Sequence, residues 1–265
     1  MWDFEHEPSR EIRDNFEIEY TLPSLCAQAL RDGVADIGII PVITTATIPD
    51  LVVLPDVAIA SLDKVWSIQL VSKRPIEEIR TVAVDTSSRT SVGLTQVLLT
   101  KFYGGHRELT PMPPVLAPML ERCDAGLLIG DPAMMAKTSG LYAYDLAELW
   151  RAKTGLPFVF AVWTVRRSAL AEMGPGLDLA AIFRRSRDHG LLPGNLAAIA
   201  KEWSPRMGLT EARITSYLRD NIHYSLDPEC QKGLALYFKL AVECGVIDHV
   251  PMLEILQGVG NAVNL

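Results

Sequence analysis

Apolar and polar positions along the chain fall into two regimes. Up to about residue 166, short apolar runs alternate with amphipathic stretches; beyond Ser168 the apolar positions recur at helical spacing almost to the end. Residues 16–20 read Phe-Glu-Ile-Glu-Tyr, the two-residue period of a half-buried strand. Ser24 then precedes Leu25, Ala29 and Leu30, a helix that stops at Asp32-Gly33. Residues 35–41 form a short apolar run closed by Pro41, the form that buried parallel strands take, so a βαβ unit is expected here. Further strands are expected over 51–55, 57–60, 65–72, 81–84, 125–129 and 158–165. Helices are expected over 92–103 and 115–121, with another starting at Gly130-Asp131-Pro132-Ala133, and residues 76–79 read as a turn or short helix. In the second regime the helical spans are 177–189, 196–203, 210–221, 227–244 and 251–259.

Strands that alternate with helices and then give way to a helical tail imply an α/β protein with two parallel or mixed sheets. The tail is too long for a simple cap. It suits a chain that leaves a first lobe near Lys64, builds a second, returns between Phe160 and Arg166, and completes the first with helices. Lobe 1 would then take residues 1–63 and 167–265, lobe 2 residues 64–166, with a ligand cleft between them. A length of 265 residues is ample for such cores.

Composition narrows the partners. A formal charge of -7 disfavours a binder of phosphate backbones, which needs a basic face. No run approaches the roughly 20 apolar residues that span a bilayer. Neither nucleic acid nor membrane is therefore an expected partner. Cys26, Cys123, Cys230 and Cys244 are scattered and form no close ligand pair, which suits reduced core thiols. The acidic start lacks the basic and apolar regions of a signal peptide, so the expected location is the cytoplasm. The five histidines have no spacing that suggests a metal site or a triad, and the phosphate-loop, dinucleotide and nucleophile-elbow motifs are absent. Nucleotide chemistry and familiar hydrolase machinery therefore have no support.

Three places can carry chemistry. The hydroxyl-rich loop over 86–91 opens a helix, where exposed N–H groups and the helix dipole favour a carboxylate or phosphate. Ser88, Thr90 and Ser91 add donors there, or they merely cap the helix. Gly130 and Asp131 end a strand; the glycine permits close backbone approach and the aspartate accepts from a hydroxyl, or caps a helix. Ser67 presents a hydroxyl within an otherwise apolar strand, or bonds to backbone. Trp66 and Phe158 flank the expected cleft. On residues alone the chain is a two-lobed binder of a small anion.

Several ordered segments carry a resemblance. Residues 30–38 (Leu-Arg-Asp-Gly-Val-Ala-Asp-Ile-Gly), 65–68 (Val-Trp-Ser-Ile), 87–92 (Ser-Ser-Arg-Thr-Ser-Val), 128–131 (Leu-Ile-Gly-Asp) and 154–163 (Thr-Gly-Leu-Pro-Phe-Val-Phe-Ala-Val-Trp) resemble those of the chorismate dehydratases, first enzymes of the futalosine route to menaquinone. The likeness runs from about Trp2 to Arg167 and continues more weakly through the tail. It implies a two-lobed, periplasmic-binding-protein-like type II fold with a helical C-terminal tail, and no cofactor. It also implies the dianion chorismate as substrate, dehydrated to 3-(1-carboxyvinyloxy)benzoate. Ser67 would be the active-site serine, Ser88, Thr90 and Ser91 would hold a carboxylate, Gly130 and Asp131 would line the opposite wall, and Phe158 would contact substrate. The proton would pass to the substrate's own enolpyruvyl carboxylate. The family's opening strand and its asparagine motif, which would directly precede Trp2, are not found; either the true start lies upstream, or the chain lacks a core strand and a catalytic group, in which case poor folding and little turnover are expected. Two rivals share the fold: a solute-binding protein for a small carboxylate, and 1,4-dihydroxy-6-naphthoate synthase. The second is expected to use a histidine of the second lobe, where His106 alone stands, away from Gly130-Asp131.

Overall fold

The computed structural model describes the chain apart from residues 7, 174–175, 258–260 and 265. Its strands are β1 (Ile37–Pro41), β2 (Leu51–Ser61), β3 (Ile68–Ser72), β4 (Thr81–Val84), β5 (Glu108–Pro111), β6 (Ala125–Ile129), β7 (Tyr142–Asp145), β8 (Phe158–Arg166), β9 (Glu254–Gln257) and β10 (Asn261–Asn264). They form two five-stranded sheets, ordered β1-β8-β2-β9-β10 and β5-β4-β6-β3-β7. Both are mixed. In the first, β8 runs antiparallel to β1 and β2 while β9 lies parallel to β2. In the second, β4 is parallel to β5 and β6 while β3 opposes β6 and β7. The chain crosses from the first sheet to the second between Ser61 and Ile68, and back between Asp145 and Phe158.

Residues 158–166, expected in the second lobe, pair inside the first sheet instead. Val162 and Val165 are fully buried there, and Val165 faces Ile37 on one side and Val52 on the other. Its side chains are buried or half-buried along the whole strand, so both faces are covered, which is why this run is so uniformly apolar.

The helical tail closes over this framework. The Pro228–Glu243 helix starts with Asp227, whose side chain accepts from the Cys230 N–H, and with a proline in its first turn. Its buried face, Cys230, Leu234, Tyr237, Phe238 and Ala241, joins one core cluster that draws on both sheets, from Val53 and Val162 to Leu70 and Leu127. Gly233 is required by contact: a Cβ there would lie 2.1 Å from the carbonyl oxygen of Pro157.

Several expectations are corrected. Residues 16–20 pair with no strand; they border a cavity of about 330 Å³ that separates them from Ile37–Ile39. Phe16 gains its burial from rings rather than from a sheet, with Phe4 5.2 Å and Phe183 6.2 Å away. The strands expected over 51–55 and 57–60 are one, bent at Asp56, whose φ of 59° is left-handed, with the register shifting between Val53 and Ala58. Residues 65–67 precede β3 rather than belong to it. The helix expected over 251–259 is replaced by β9, because Val52 and Val53 offer it a sheet edge that the local pattern does not reveal; residues 258–259 lie outside the described ones. The span 210–221 is α-helical only over Glu211–Ser216 and continues as a π turn over Tyr217–Asn221. Strands β5 and β7 and the Leu146–Thr154 helix were not read from the sequence.

Candidate active site

The crossing from β2 to β3 is an irregular segment braced by buried hydrogen bonds. Trp66 takes a φ of 63°, which is strained for a bulky residue. The buried Asp145, at the end of β7, holds it there: one carboxylate oxygen accepts from the Trp66 N–H at 2.5 Å and the Gln69 amide at 3.0 Å. The other accepts from the N–H groups of Val65, Ala147 and Glu148. Burial pushes the Asp145 carboxyl above its ordinary pKa, and the four backbone N–H bonds pull against that rise. The result is a fixed left-handed step that delivers Ser67 at the head of β3.

Ser67 is 5 % exposed and is held at three points. Its N–H donates to the Val65 carbonyl at 2.8 Å, and its carbonyl accepts from the Gly130 N–H at 2.7 Å. The Tyr217 hydroxyl donates to its Oγ at 3.0 Å. Gly130 follows β6, whose Ile129 pairs with Ile68, so the Ser67–Gly130 bond continues the antiparallel ladder. Gly130 and Asp131 therefore stand beside Ser67. Gly130 has φ 67° and ψ −138°, a conformation open to glycine alone, and nothing lies within 4 Å of where a Cβ would sit. Asp131 is exposed, opens the five-residue Asp131–Met135 helix, and its carboxylate makes no hydrogen bond among the described residues; Gly130, not Asp131, is the N-cap.

The second candidate loop behaves differently. Asp85 accepts from the N–H and hydroxyl of Ser87 at 2.9 and 2.7 Å, which folds the turn ahead of the Arg89–Phe102 helix. Ser88 is the N-cap residue, yet its hydroxyl pairs with that of Ser91 at 3.1 Å instead of capping. Thr90 and Ser91 are fully buried. Thr90 Oγ1 accepts from the Ile43 N–H at 3.3 Å, and the Thr90 carbonyl accepts from the Tyr237 hydroxyl at 3.3 Å, so Thr90 ties this helix to the turn after β1 and to the tail. No hydrogen bond among the described residues joins the Ser88–Ser91 set to Ser67 or Gly130. The helix head borders a groove of about 750 Å³, where Thr86 and Arg89 face Ser24, Gln28, Thr44 and Thr47.

Phe158 is corrected outright. It is 1 % exposed and packs in an aromatic core, with ring centroids 4.7 Å from Phe160, 4.9 Å from Tyr237 and 5.3 Å from Trp150. It cannot touch a ligand in the cleft. The residues that the sequence did not point to are Tyr217 and Arg213, both from the tail. The Tyr217 ring meets Trp66 edge-on at 5.7 Å, and the Arg213 guanidinium lies 3.6 Å from the Trp66 ring centroid.

Among the described residues, one group of metal-binding types converges: His223, Asp227 and Cys230, whose ligand atoms lie within 4.8 Å of one another. Ordinary bonds account for it. Asp227 caps the tail helix through the Cys230 N–H and takes the His223 Nε2 at 2.7 Å, while burial pushes the Cys230 thiol up to about 12. Among the described residues no helix is long and apolar enough to cross a membrane.

Comparison with known proteins adds the family context. Residues 2–243 match the family model described as "Menaquinone biosynthesis". The chorismate dehydratase of Thermus thermophilus is 29% identical over 242 residues, covering 84% of this chain and 86% of that one. Among solved structures, the periplasmic aliphatic sulphonate binding protein SsuA of Escherichia coli superposes with a TM-score of 0.62 at 16% identity, over 94% of this chain and 85% of that one. Protein AF1704 of Archaeoglobus fulgidus gives 0.60 at 18% identity, over 87% and 86%. A Candida albicans gene product with the generic periplasmic binding protein fold gives 0.55 at 10% identity, over 96% and 93%. The chain has that two-lobed fold, with the helical C-terminal region in place.

Proposed function

Since the chain belongs to the menaquinone biosynthesis family, we propose that it is a chorismate dehydratase, a hydro-lyase that releases water from chorismate to form 3-(1-carboxyvinyloxy)benzoate. The observation that carries this reading is the triply held Ser67, set beside Gly130 at the head of the second sheet. Its hydroxyl and the N–H groups at the start of the Arg89–Phe102 helix suit the two carboxylates of such a substrate. The ring C–H gives up its proton to the substrate's enolpyruvyl carboxylate. Its electron pair becomes the new ring π bond as the neighbouring C–O bond breaks, and the ring becomes aromatic. The departing hydroxyl takes that proton to leave as water. The protein's part is to orient a dianion, which is positioning and electrostatic work. Lobe 1 would comprise the elements up to Ser61 and from Phe158 onward, lobe 2 those from Ile68 to Asp145, with the cleft between. All four cysteines are unpaired, which supports work in the reducing cytoplasm.

Incubation of the purified protein with chorismate, followed by absorbance and mass, tests the reading. The aromatic product is expected, 18 mass units lighter by loss of water, about 18 being the mass of the leaving group. Ser67→Ala should lower kcat/KM by about 10- to 100-fold, the worth of one hydrogen bond to a charged group. Absence of the aromatic product overturns the proposal.

A further inference from the structure

We propose that Tyr217 is a positioning residue, whose phenol fixes the direction of the Ser67 hydroxyl and turns it into a dedicated donor to a substrate carboxylate; this rests on the reading that Ser67 contacts substrate. A serine hydroxyl has one proton to give and two lone pairs. The Tyr217 hydroxyl occupies a lone pair at 3.0 Å. The Ser67 N–H and carbonyl are already spent on Val65 and Gly130. The Ser67 proton has no acceptor among the described residues, so it is left for water or for a ligand that accepts. A carboxylate does so best.

Two independent features point the same way. The turn that carries Tyr217 is a π turn, which places one more residue in the turn than an α-helix and re-aims the side chains that follow; such turns concentrate at functional sites. It is pinned at both ends, by the Ser216 hydroxyl donating to Asp220 at 2.8 Å and by the Asn221 amide donating to the Lys64 carbonyl at 2.9 Å, three residues before Ser67. One turn earlier, Arg213 stacks on Trp66, and no carboxylate lies within ion-pair distance of it among the described residues. An exposed cation stacked on the residue next to Ser67 adds a favourable field for an anion there, against the opposing charge of Asp131. Burial and Asp131 both push the Tyr217 phenol above its ordinary pKa, with Ser67 pulling the other way, so it remains a proton donor through neutral pH.

The test is a double-mutant cycle in ligand binding, read by titration calorimetry with 3-(1-carboxyvinyloxy)benzoate on the parent, Tyr217→Phe, Ser67→Ala and the double variant. Phenylalanine keeps the ring contact with Trp66 and removes only the hydroxyl. Tyr217→Phe should weaken binding by about five- to tenfold, and should have no further effect once Ser67 is alanine. A purely structural role would weaken both backgrounds alike, and that result, or parent-like binding by Tyr217→Phe, overturns the inference. Chorismate turnover by the parent separates the two proposals. A coupled cycle without aromatic product sinks the dehydratase reading and leaves Tyr217 in place, whereas turnover with an uncoupled cycle does the reverse. A parent that does not bind this ligand removes both.

Discussion

Replacing Asp145 by asparagine asks whether the left-handed step at Trp66 is held by the carboxylate. The side chain is 2 % exposed and serves five donors. An asparagine oxygen can keep the three bonds from Val65, Ala147 and Glu148, so the helix cap survives. Its amide nitrogen then faces the Trp66 N–H, which loses its acceptor, and the Gln69 amide, which keeps only its bond to the Trp66 carbonyl at 3.1 Å. Each lost bond to a buried charged acceptor is worth about 1.5–3 kcal/mol. Against this stands the relief of burying a charge, the cause that pushes the Asp145 carboxyl above its ordinary pKa. A net loss of about 2–4 kcal/mol follows. Release of Trp66 from φ 63° also recovers strain of order 1–3 kcal/mol, which drives the crossing away from the geometry that presents Ser67. Asp145→Asn should therefore lose stability in urea unfolding and, under conditions where it remains folded, lose chorismate turnover in larger proportion than its ordered fraction. A variant within 1 kcal/mol of the parent that turns over normally would refute the clamp.

Two further outcomes follow from other elements. Gly233→Ala sets a methyl 2.1 Å from the Pro157 carbonyl oxygen, so the Pro228–Glu243 helix must lift from β8; the overpacking cost of about 1–3 kcal/mol or more exceeds the gain of about 1 kcal/mol in helix propensity, and a lower Tm by circular dichroism checks it, a higher one contradicting the contact. Burial alone pushes the Asp124 carboxyl up, but the N–H groups of Arg80 and Thr81 and the Arg74 guanidinium 3.1 Å away hold it below its ordinary value. A depressed carboxyl stabilises the fold above the unfolded pKa of about 4 and loses that stabilisation as pH falls through its folded value. Urea midpoints at pH 7 and pH 3 should thus differ less in Asp124→Asn than in the parent, and an equal difference would remove Asp124 from the acid response.

Strands β1, β2, β3, β4, β6 and β8 were readable because each is an apolar run bounded by polar or proline punctuation; β5 and β7, largely exposed edge strands of mixed polarity, lack that signal. The alternation of 16–20 is equally clear, yet a strand needs an edge to pair with, and β1 lies across a cavity from it. Ser67, Gly130 and the Thr90 helix head could be singled out by residue type, but not their arrangement. The antiparallel register that sets Ile68 opposite Ile129 brings Gly130 to the serine's side, and register is a long-range property. Phe158 illustrates the same limit: its position at a crossing suggests a cleft wall, while its three ring neighbours come from residues up to 79 positions away. Tyr217 left no sign at all. No glycine or proline interrupts residues 210–221, so the helical period runs straight through the π turn.

The proposed reaction explains why this site carries so little ionisable machinery. Aromatisation makes the dehydration strongly favourable, so the barrier rather than the driving force is what the protein must address. A substrate that brings its own carboxylate base needs its two anionic ends held apart and its ring turned so that the C–H lies under that base. The geometry divides this labour. Ser67 is fixed by the sheet through Gly130, by the Asp145 clamp through Trp66, and by the tail through Tyr217. Thr90, by contrast, has both its hydroxyl and its carbonyl engaged with Ile43 and Tyr237, at 3.3 Å each. What that helix head offers a ligand is therefore its first backbone N–H groups and the hydroxyl of Ser88, held by the buried Ser91, with Thr90 serving to seat the helix against the turn that follows β1. A histidine dyad or a buried lysine would add a base where the substrate already supplies one. The paired histidines, His189 with Asp3 and His223 with Asp227, are instead committed to fastening the tail and the N-terminal segment.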